Sequence, residues 1–360
     1  MLSMRRSSRL YEDWLAVQLK GDIVRADLRY KHEKMQTSPF AFLRATYWRW
    51  AETVLDVCPQ LQTAPSVLAV GDIHLENFGT WRDDEGRLIW GINDFDEAAE
   101  MPFALDLARL ATSTLLAHGK AGASAAAIAR AILGGYRRGL GAPCPTVLDR
   151  KNRWLHKLVV VSSSRRREFW QDTDAAIAKA GKPPPRYRKA LLASMPEAGL
   201  EVSIGRRTAG LGSLGRPRWI AIADWRGAPV VREAKALVPS AWYRARAVAD
   251  ARIRCGDIAG GRYRAPDPWY AVGDSIVVRR LSPNNRKIEA DDPAMRALSQ
   301  RLLVAMGREL AAIHLGVADR SRAILRDLDK RDGDGWLADC ALQMAKATRA
   351  DLKAYRGPAR

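Results

Sequence analysis

Two short acidic motifs, each placed directly after an apolar run, constrain this chain more than any other feature. Gly71-Asp72-Ile73-His74-Leu75-Glu76-Asn77-Phe78-Gly79 follows Val67-Leu68-Ala69-Val70. Gly91-Ile92-Asn93-Asp94-Phe95-Asp96-Glu97-Ala98 follows Leu88-Ile89-Trp90. Short apolar runs bounded by polar turns read as strands, so each motif puts a carboxylate at a strand mouth. Between them, Arg82-Asp83-Asp84-Glu85-Gly86-Arg87 has the composition of an exposed turn. A hairpin of the two runs would bring Asp72, Asn77 and Asp94 together. Two unit charges 4 Å apart interact by about 4 kcal/mol at an effective dielectric of 20, so clustered carboxylates call for a cation or a proton between them. Two carboxylates and a carboxamide, all oxygen donors, suit Mg²⁺ better than zinc.

With 360 residues the chain can bury a sizeable core, in one large domain or two lobes. No segment approaches the roughly 20 apolar residues that a membrane span needs. The charged start, Met1 to Arg9, runs into Tyr11-Glu12-Asp13 with no apolar stretch between, and does not read as a secretory signal. Cys58, Cys144, Cys255 and Cys340 have no metal-ligand spacing, and read as free thiols of a cytoplasmic protein. The net charge of +19 would attract polyanions such as nucleic acid or nucleotide phosphates. Arginine is spread along the whole chain, however, so composition alone accounts for this charge as readily as a binding footprint does.

The secondary-structure signal changes along the chain. Residues 10–56 look mainly helical, with Ser38 as a helix cap and Pro39 at the first helical position. Residues 103–140 are Ala/Leu-rich and helical, one helix starting at Phe103 and another fitting Ser124–Gly139. Residues 201–237 read as strands: a glycine-rich turn, then Trp219 to Ala223, a turn at Asp224-Trp225-Arg226-Gly227, then Pro229 to Lys235. Ser275 to Leu281 reads as a further strand, and Pro293 to His314 as helix. The fold class expected is α+β with two lobes. Residues 1–200 would form a helix-rich large lobe, 201–290 a small β-rich lobe, and 291–360 helices packing back on the large lobe.

Gly210-Leu211-Gly212-Ser213-Leu214-Gly215 is a G-x-G-x-x-G followed by β-rich sequence rather than by a helix. That context fits a glycine-rich loop between antiparallel strands, folded over nucleotide phosphates. An ordinary flexible hairpin is the plain alternative. Lys235, at the end of the next strand, could reach phosphates beneath such a loop, or stand as a surface lysine. Glycine loop, strand, turn, strand and lysine in that order match a kinase small lobe. Phosphoryl transfer needs a carboxylate beside the attacking hydroxyl and Mg²⁺ on the phosphates. Asp72 is the candidate base, Asn77 and Asp94 the candidate metal ligands. His74 would orient Asp72, touch substrate or hold the loop. Asp106 and His314 read as structural helix residues.

These residues carry a resemblance. Gly71-Asp72-x-His74-x-x-Asn77 resembles the catalytic loop of aminoglycoside phosphotransferases and related small-molecule kinases, and Asn93-Asp94-Phe95-Asp96 resembles their metal-binding segment. The resemblance implies that Asp72 is the base and that Asn77 and Asp94 bind Mg²⁺. Val70 stands where the family usually has a histidine, and Asp96 where it has a glycine. The glycine loop and lysine precede the catalytic loop in such kinases and follow it here, an order that implies circular permutation. The helix ending at His314 is similar to the one that normally leads into the catalytic loop. Lys34 to Arg44, Gly71 to Gly79, Asn93 to Glu97, Gly210 to Gly215, and Glu233-Ala234-Lys235 with Pro239-Ser240-Ala241 together resemble the bacterial domain-of-unknown-function family 2252.

The expected function is an ATP- and Mg²⁺-dependent transfer of phosphate to a hydroxyl of a small molecule. Gly210, Gly212, Ser213, Gly215 and Lys235 would hold the nucleotide, and Asp96 would orient substrate or loop. One alternative is a metallophosphoesterase, which also opens its site with Gly-Asp-x-His. That fold needs further histidines in settings that His118, His156 and His314 lack. Another is a non-catalytic pseudokinase or nucleic-acid-binding protein that uses the positive charge.

Overall fold

The computed structural model describes residues 2–118, 123–179, 181–289, 300–331, 333 and 335–357. Four short strands lie in the first third of the chain: β1 (Ser66–Ala69), β2 (Phe78–Arg82), β3 (Leu88–Ile92) and β4 (Ala99–Pro102). The two apolar runs expected to pair with each other do not. β1 pairs antiparallel with β4, from Ser66 opposite Pro102 to Ala69 opposite Ala99. β3 pairs with β2, from Phe78 opposite Ile92 to Arg82 opposite Leu88. The reason is the tail of the first motif. Phe78 to Trp81 is buried, aromatic and β-forming, and directly precedes the turn that ends at Arg87. The Asp83 carboxylate closes that turn by accepting from the Arg87 backbone and its Nε, each at 2.8 Å. Phe78 then stacks on Trp90, ring centroids 5.1 Å apart. A two-residue strand, β5 (Thr146–Val147), adds to the outer side of β3.

The second half of the chain forms a five-stranded sheet from β6 (Ser203–Arg206), β7 (Arg218–Trp225), β8 (Ala228–Ala236), β9 (Ala271–Gly273) and β10 (Ile276–Leu281). The spatial order is β6-β7-β8-β10-β9, every pair antiparallel. Arg226 (φ 49°) and Gly227 (φ 83°) both take positive φ. A two-residue hairpin loop requires this if its twist is to match the strands it joins. Residues 207–217, with the glycine-rich segment, link β6 to β7. In this sheet Lys235 lies opposite Arg218 on one side and Val277 on the other.

The helices supply most of the core. Ser38 caps Pro39–Ala45 by accepting from Ala41 N at 3.0 Å, with Pro39 in the first turn, as its sequence implies. Ser124 caps Ala125–Gly141 in the same way, at 3.2 Å. Ala125–Gly141 packs closely on Gln300–His314. A Cβ on Gly135 would lie 2.1 Å from the Val304 carbonyl, and one on Gly307 2.2 Å from that of Ile132, so only glycine allows the approach. The helix expected from Pro293 is helical from Gln300; its first residues lie outside those described. Gly335–Arg356 covers Phe103–His118. The main apolar core runs from the first helices through β1 and β3 into the five-stranded sheet. The architecture is α+β with antiparallel sheets. All four cysteines are free thiols.

Candidate functional site

The chain leaves β1 through a fixed turn. The backbone N–H groups of Val70 and Gly71 donate to the Asp106 carboxylate at 2.7 and 3.0 Å. Asp106 Oδ2 lies 3.0 Å from His314 Nε2, and His314 Nδ1 lies 2.7 Å from the Tyr136 hydroxyl. All three side chains are buried, so Asp106 and His314 are structural, holding the loop from below. Gly71 has φ +82°, and a Cβ there would sit 2.3 Å from the Glu97 carbonyl. Only glycine fits such a position. Next, His74 N donates to Asn77 Oδ1 at 2.6 Å, and His74 Nδ1 accepts from Glu76 N at 3.1 Å. This reciprocal cap folds the loop back on itself. Asn77 O accepts from Asn93 N at 3.1 Å, tying the first motif to the second.

Asp72, His74, Asn77, Asp94 and Asp96 line one cavity, together with Gly210, Gly212 and Ser213 of the glycine-rich loop. Gly215 does not reach it. Its φ is +97°, and a Cβ there would press 2.4 Å from Leu28 of the helix Arg25–Lys34. Gly212 sits directly over the first motif: a Cβ there would lie 3.2 Å from Asp72 Oδ2. Lys235 crosses from the sheet to the second motif, its Nζ 2.6 Å from Asp96 Oδ2 and 3.4 Å from Asp94 Oδ1.

Electrostatics divide the carboxylates. Burial raises Asp72 to about 7, although Arg109 opposes this through its Nε at 3.1 Å and its Nη2. Burial also pushes Asp94 upward, but Lys235, Lys287, Arg279 and Arg218 together outweigh it and hold Asp94 well below the carboxylate range. Burial and the neighbouring Asp94 raise Asp96. Burial, then Arg44 and Arg109, keep His74 neutral, far below the usual imidazole range. Groups held apart in this way are what acid–base chemistry uses.

Sequence reasoning missed several members. Arg109 is the only charged residue between Asp106 and Ala117 on a helix whose other residues there are apolar or carry a hydroxyl, and that isolation is a signal. Glu97 accepts from Arg216 at 2.5 Å and from Ala241 N at 2.7 Å. Its carbonyl accepts from Ser240 at 2.9 Å. Lys31 donates to Gly212 O at 2.8 Å from within the N-terminal helices, and no sequence pattern announces it.

Next to this site lies a larger cavity of about 240 Å³, lined by Asn93 and Phe95 of the second motif, Tyr270, and Arg279 of β10. Lys287 lines both cavities.

Among the described residues no three His, Cys, Asp or Glu side chains form a ready-made metal cage. Mg²⁺ does not require one, because it is usually held by one or two carboxylates together with substrate phosphates and water. Asn77 and Asp94 are oxygen donors on one cavity wall, and Asp94 is held ionised. They fit that ion. No helix of the described residues is long and apolar enough to cross a membrane.

A family model described as an uncharacterized protein conserved in bacteria (DUF2252) matches residues 24–198. The match takes in both acidic motifs and ends before the glycine-rich loop. No curated protein and no solved structure matches the chain.

Proposed function

We propose that this chain is an ATP- and Mg²⁺-dependent phosphotransferase acting on a hydroxyl of a small molecule. The observation that carries the reading is Lys235 reaching across from the five-stranded sheet to Asp94 and Asp96, while Gly212 of the same sheet's loop lies over Asp72. Protein kinases assemble the same parts: a glycine-rich loop over the phosphates, a lysine on the third strand, and an acidic residue and an asparagine for Mg²⁺. β8, which bears Lys235, is third in the order β6-β7-β8-β10-β9. The fold in this reading is a two-lobed kinase-like one, circularly permuted. In support, Gln300–His314 follows the sheet in the chain yet sits under both acidic motifs: Glu309 accepts from Ile92 N at 3.2 Å, and His314 meets Asp106.

The residues divide the work. Asp72 accepts or orients the proton of the acceptor hydroxyl, with an affinity for protons near neutrality that suits a general base. Asn77 and Asp94 would hold Mg²⁺, which when bound supplies charge neutralisation at the phosphates. Lys235 and the part of the loop that lines the cavity, Gly210 to Ser213, steady the phosphates. The base and ribose of ATP would take the 240 Å³ cavity against Phe95 and Tyr270. Lys287, common to both cavities, marks the path of the phosphates. Asp96, where the resembled kinases have glycine, gives Lys235 an anionic partner from the metal-binding segment itself.

The test is a calorimetric titration of Mg·ATP into the purified chain and into Asp94→Ala. Binding lost or weakened at least tenfold in the variant supports the assignment, and unchanged binding removes it. Mass spectrometry of a cell extract incubated with chain and Mg·ATP would then reveal an acceptor heavier by one phosphoryl group.

A further inference from the structure

We infer that the cavity beneath the glycine loop contains a built subsite for an oxyanion, formed by Tyr47, Trp48 and Arg216, with Lys31 behind it. The inference deepens the phosphotransfer reading, since it says what the group seated beside Asp72 must carry. Tyr47, Trp48 and Arg216 line that cavity and are 4%, 3% and 3% exposed. The Tyr47 hydroxyl, Trp48 Nε1, and Arg216 Nε and Nη1 are buried without a hydrogen-bond partner. Buried polar groups are nearly always paired, so four such atoms around one cavity need an explanation.

The acids on the same wall are already committed. Asp72 holds Arg109, Asp96 holds Lys235 and lies 3.6 Å from Arg216 Nη1, beyond hydrogen-bond reach, and Glu97 holds Arg216 Nη2 and the Ala241 amide. What is left over is donors. Lys31 adds to them: its Nζ donates to Gly212 O at 2.8 Å and lies 4.9 Å from the centre of the Trp48 ring. A site that offers several hydrogen-bond donors and a buried guanidinium selects a carboxylate, phosphate or sulfate over a neutral alcohol or an amine. Two sources provide that chemistry: an anionic group on the acceptor, and the terminal phosphate of the nucleotide.

The experiment titrates sodium sulfate into the full chain at constant ionic strength, by calorimetry, with and without Mg·ATP. Tyr47→Phe and Trp48→Phe each remove one donor and keep a packed ring, and thermal melting checks that both fold. Exposed Arg29→Gln is the control for general charge attraction. We expect sulfate to bind about tenfold more weakly to each aromatic variant, as the loss of one hydrogen bond to a charged group implies, and unchanged to Arg29→Gln. Sulfate that still binds beside Mg·ATP identifies an acceptor anion, and sulfate displaced by Mg·ATP identifies the terminal phosphate. No sulfate binding, or equal binding by wild type, Tyr47→Phe and Trp48→Phe, overturns the subsite and leaves ordered water as the occupant. The phosphotransfer reading fails separately, if Mg·ATP does not bind while sulfate does.

Discussion

Lys235 Nζ lies 2.6 Å from Asp96 Oδ2, joining the third strand of the large sheet to the second acidic motif. Both side chains are largely shielded from water, at 3% and 10% exposure. The pair is therefore a structural tie as well as a feature of the proposed site. Removing one member of a buried ion pair costs roughly 3–5 kcal/mol, because the other is left uncompensated. Asp94 remains beside the lysine, and burial and Asp94 already raise Asp96, so Asp96→Asn should cost less than that range while Lys235→Met falls within it. Urea unfolding of Asp96→Asn, Lys235→Met and the double variant measures it. The double variant should lose clearly less than the sum of the two single losses.

Asp72 makes two opposite predictions, one for turnover and one for stability. As the proposed base it must be ionised, so kcat/KM should fall about tenfold per pH unit below pH 7, the value to which burial raises it. Asp72→Asn should lower kcat by about 10²–10⁴ while Mg·ATP still binds. For stability, the folded chain holds this proton more tightly than the unfolded chain, whose carboxyl lies near 4. Between about pH 4 and pH 7 the folded state therefore binds more protons, and stability from this group is lost as pH rises through that window. Asp72→Asn should melt at a higher temperature than wild type at pH 8 and at nearly the same temperature at pH 4. A variant less stable at pH 8 would mean that the Arg109 contact outweighs burial.

The cap at Ser38, the hairpin turn at Arg226-Gly227, the strand ending in Lys235 and the helix ending at His314 were all legible in the sequence, because each rests on local chemistry. So was the meeting of Asp72, Asn77 and Asp94. The route to that meeting was not. The two apolar runs do not pair, since Phe78 to Trp81 forms the strand that claims the second run, and a fragment beginning inside a motif gives no separate alternation to read. Arg109 and Glu97, Arg216, and Lys31 come from three distant stretches, and only tertiary packing brings them around one site. Arg109 alone left a trace, as an isolated cation on a helix built mainly of Ala and Leu.

Asp106 positions the first motif through the Val70 and Gly71 amides without touching the cavity. Asp106→Asn keeps the size of the side chain and replaces one acceptor oxygen by a donor. A hydrogen bond to a charged group is worth about 1.5–3 kcal/mol, and here at least one is lost against a buried backbone donor. We expect a stability loss of about 3 kcal/mol on that basis. The Val70 and Gly71 amides should exchange with solvent faster than in wild type, which amide hydrogen exchange detects. Unchanged protection there would show that the loop is held by its own cap at His74 and Asn77.

Glu233 lies fully buried in the middle of the large sheet with arginines from three sides. Arg218 Nη1 is 2.8 Å from Oε1, Arg279 Nη2 is 2.7 Å from the same oxygen, and Arg207 Nη1 is 2.5 Å from Oε2. Burial alone would raise this carboxyl, but the three arginines hold it well below its ordinary range. Its contribution is therefore present above the unfolded value near 4.5 and disappears as pH falls toward the depressed folded value. Glu233→Gln leaves the buried Arg218 and the half-buried Arg279 without their anion and should cost about 3 kcal/mol at pH 7. Because Gln cannot ionise, the gap between wild type and variant should narrow steadily as pH drops below about 4.5. Denaturant unfolding of both proteins from pH 7 to pH 3 measures that gap. A difference that stays constant across the range would mean that the arginines are neutralised by solvent rather than by Glu233.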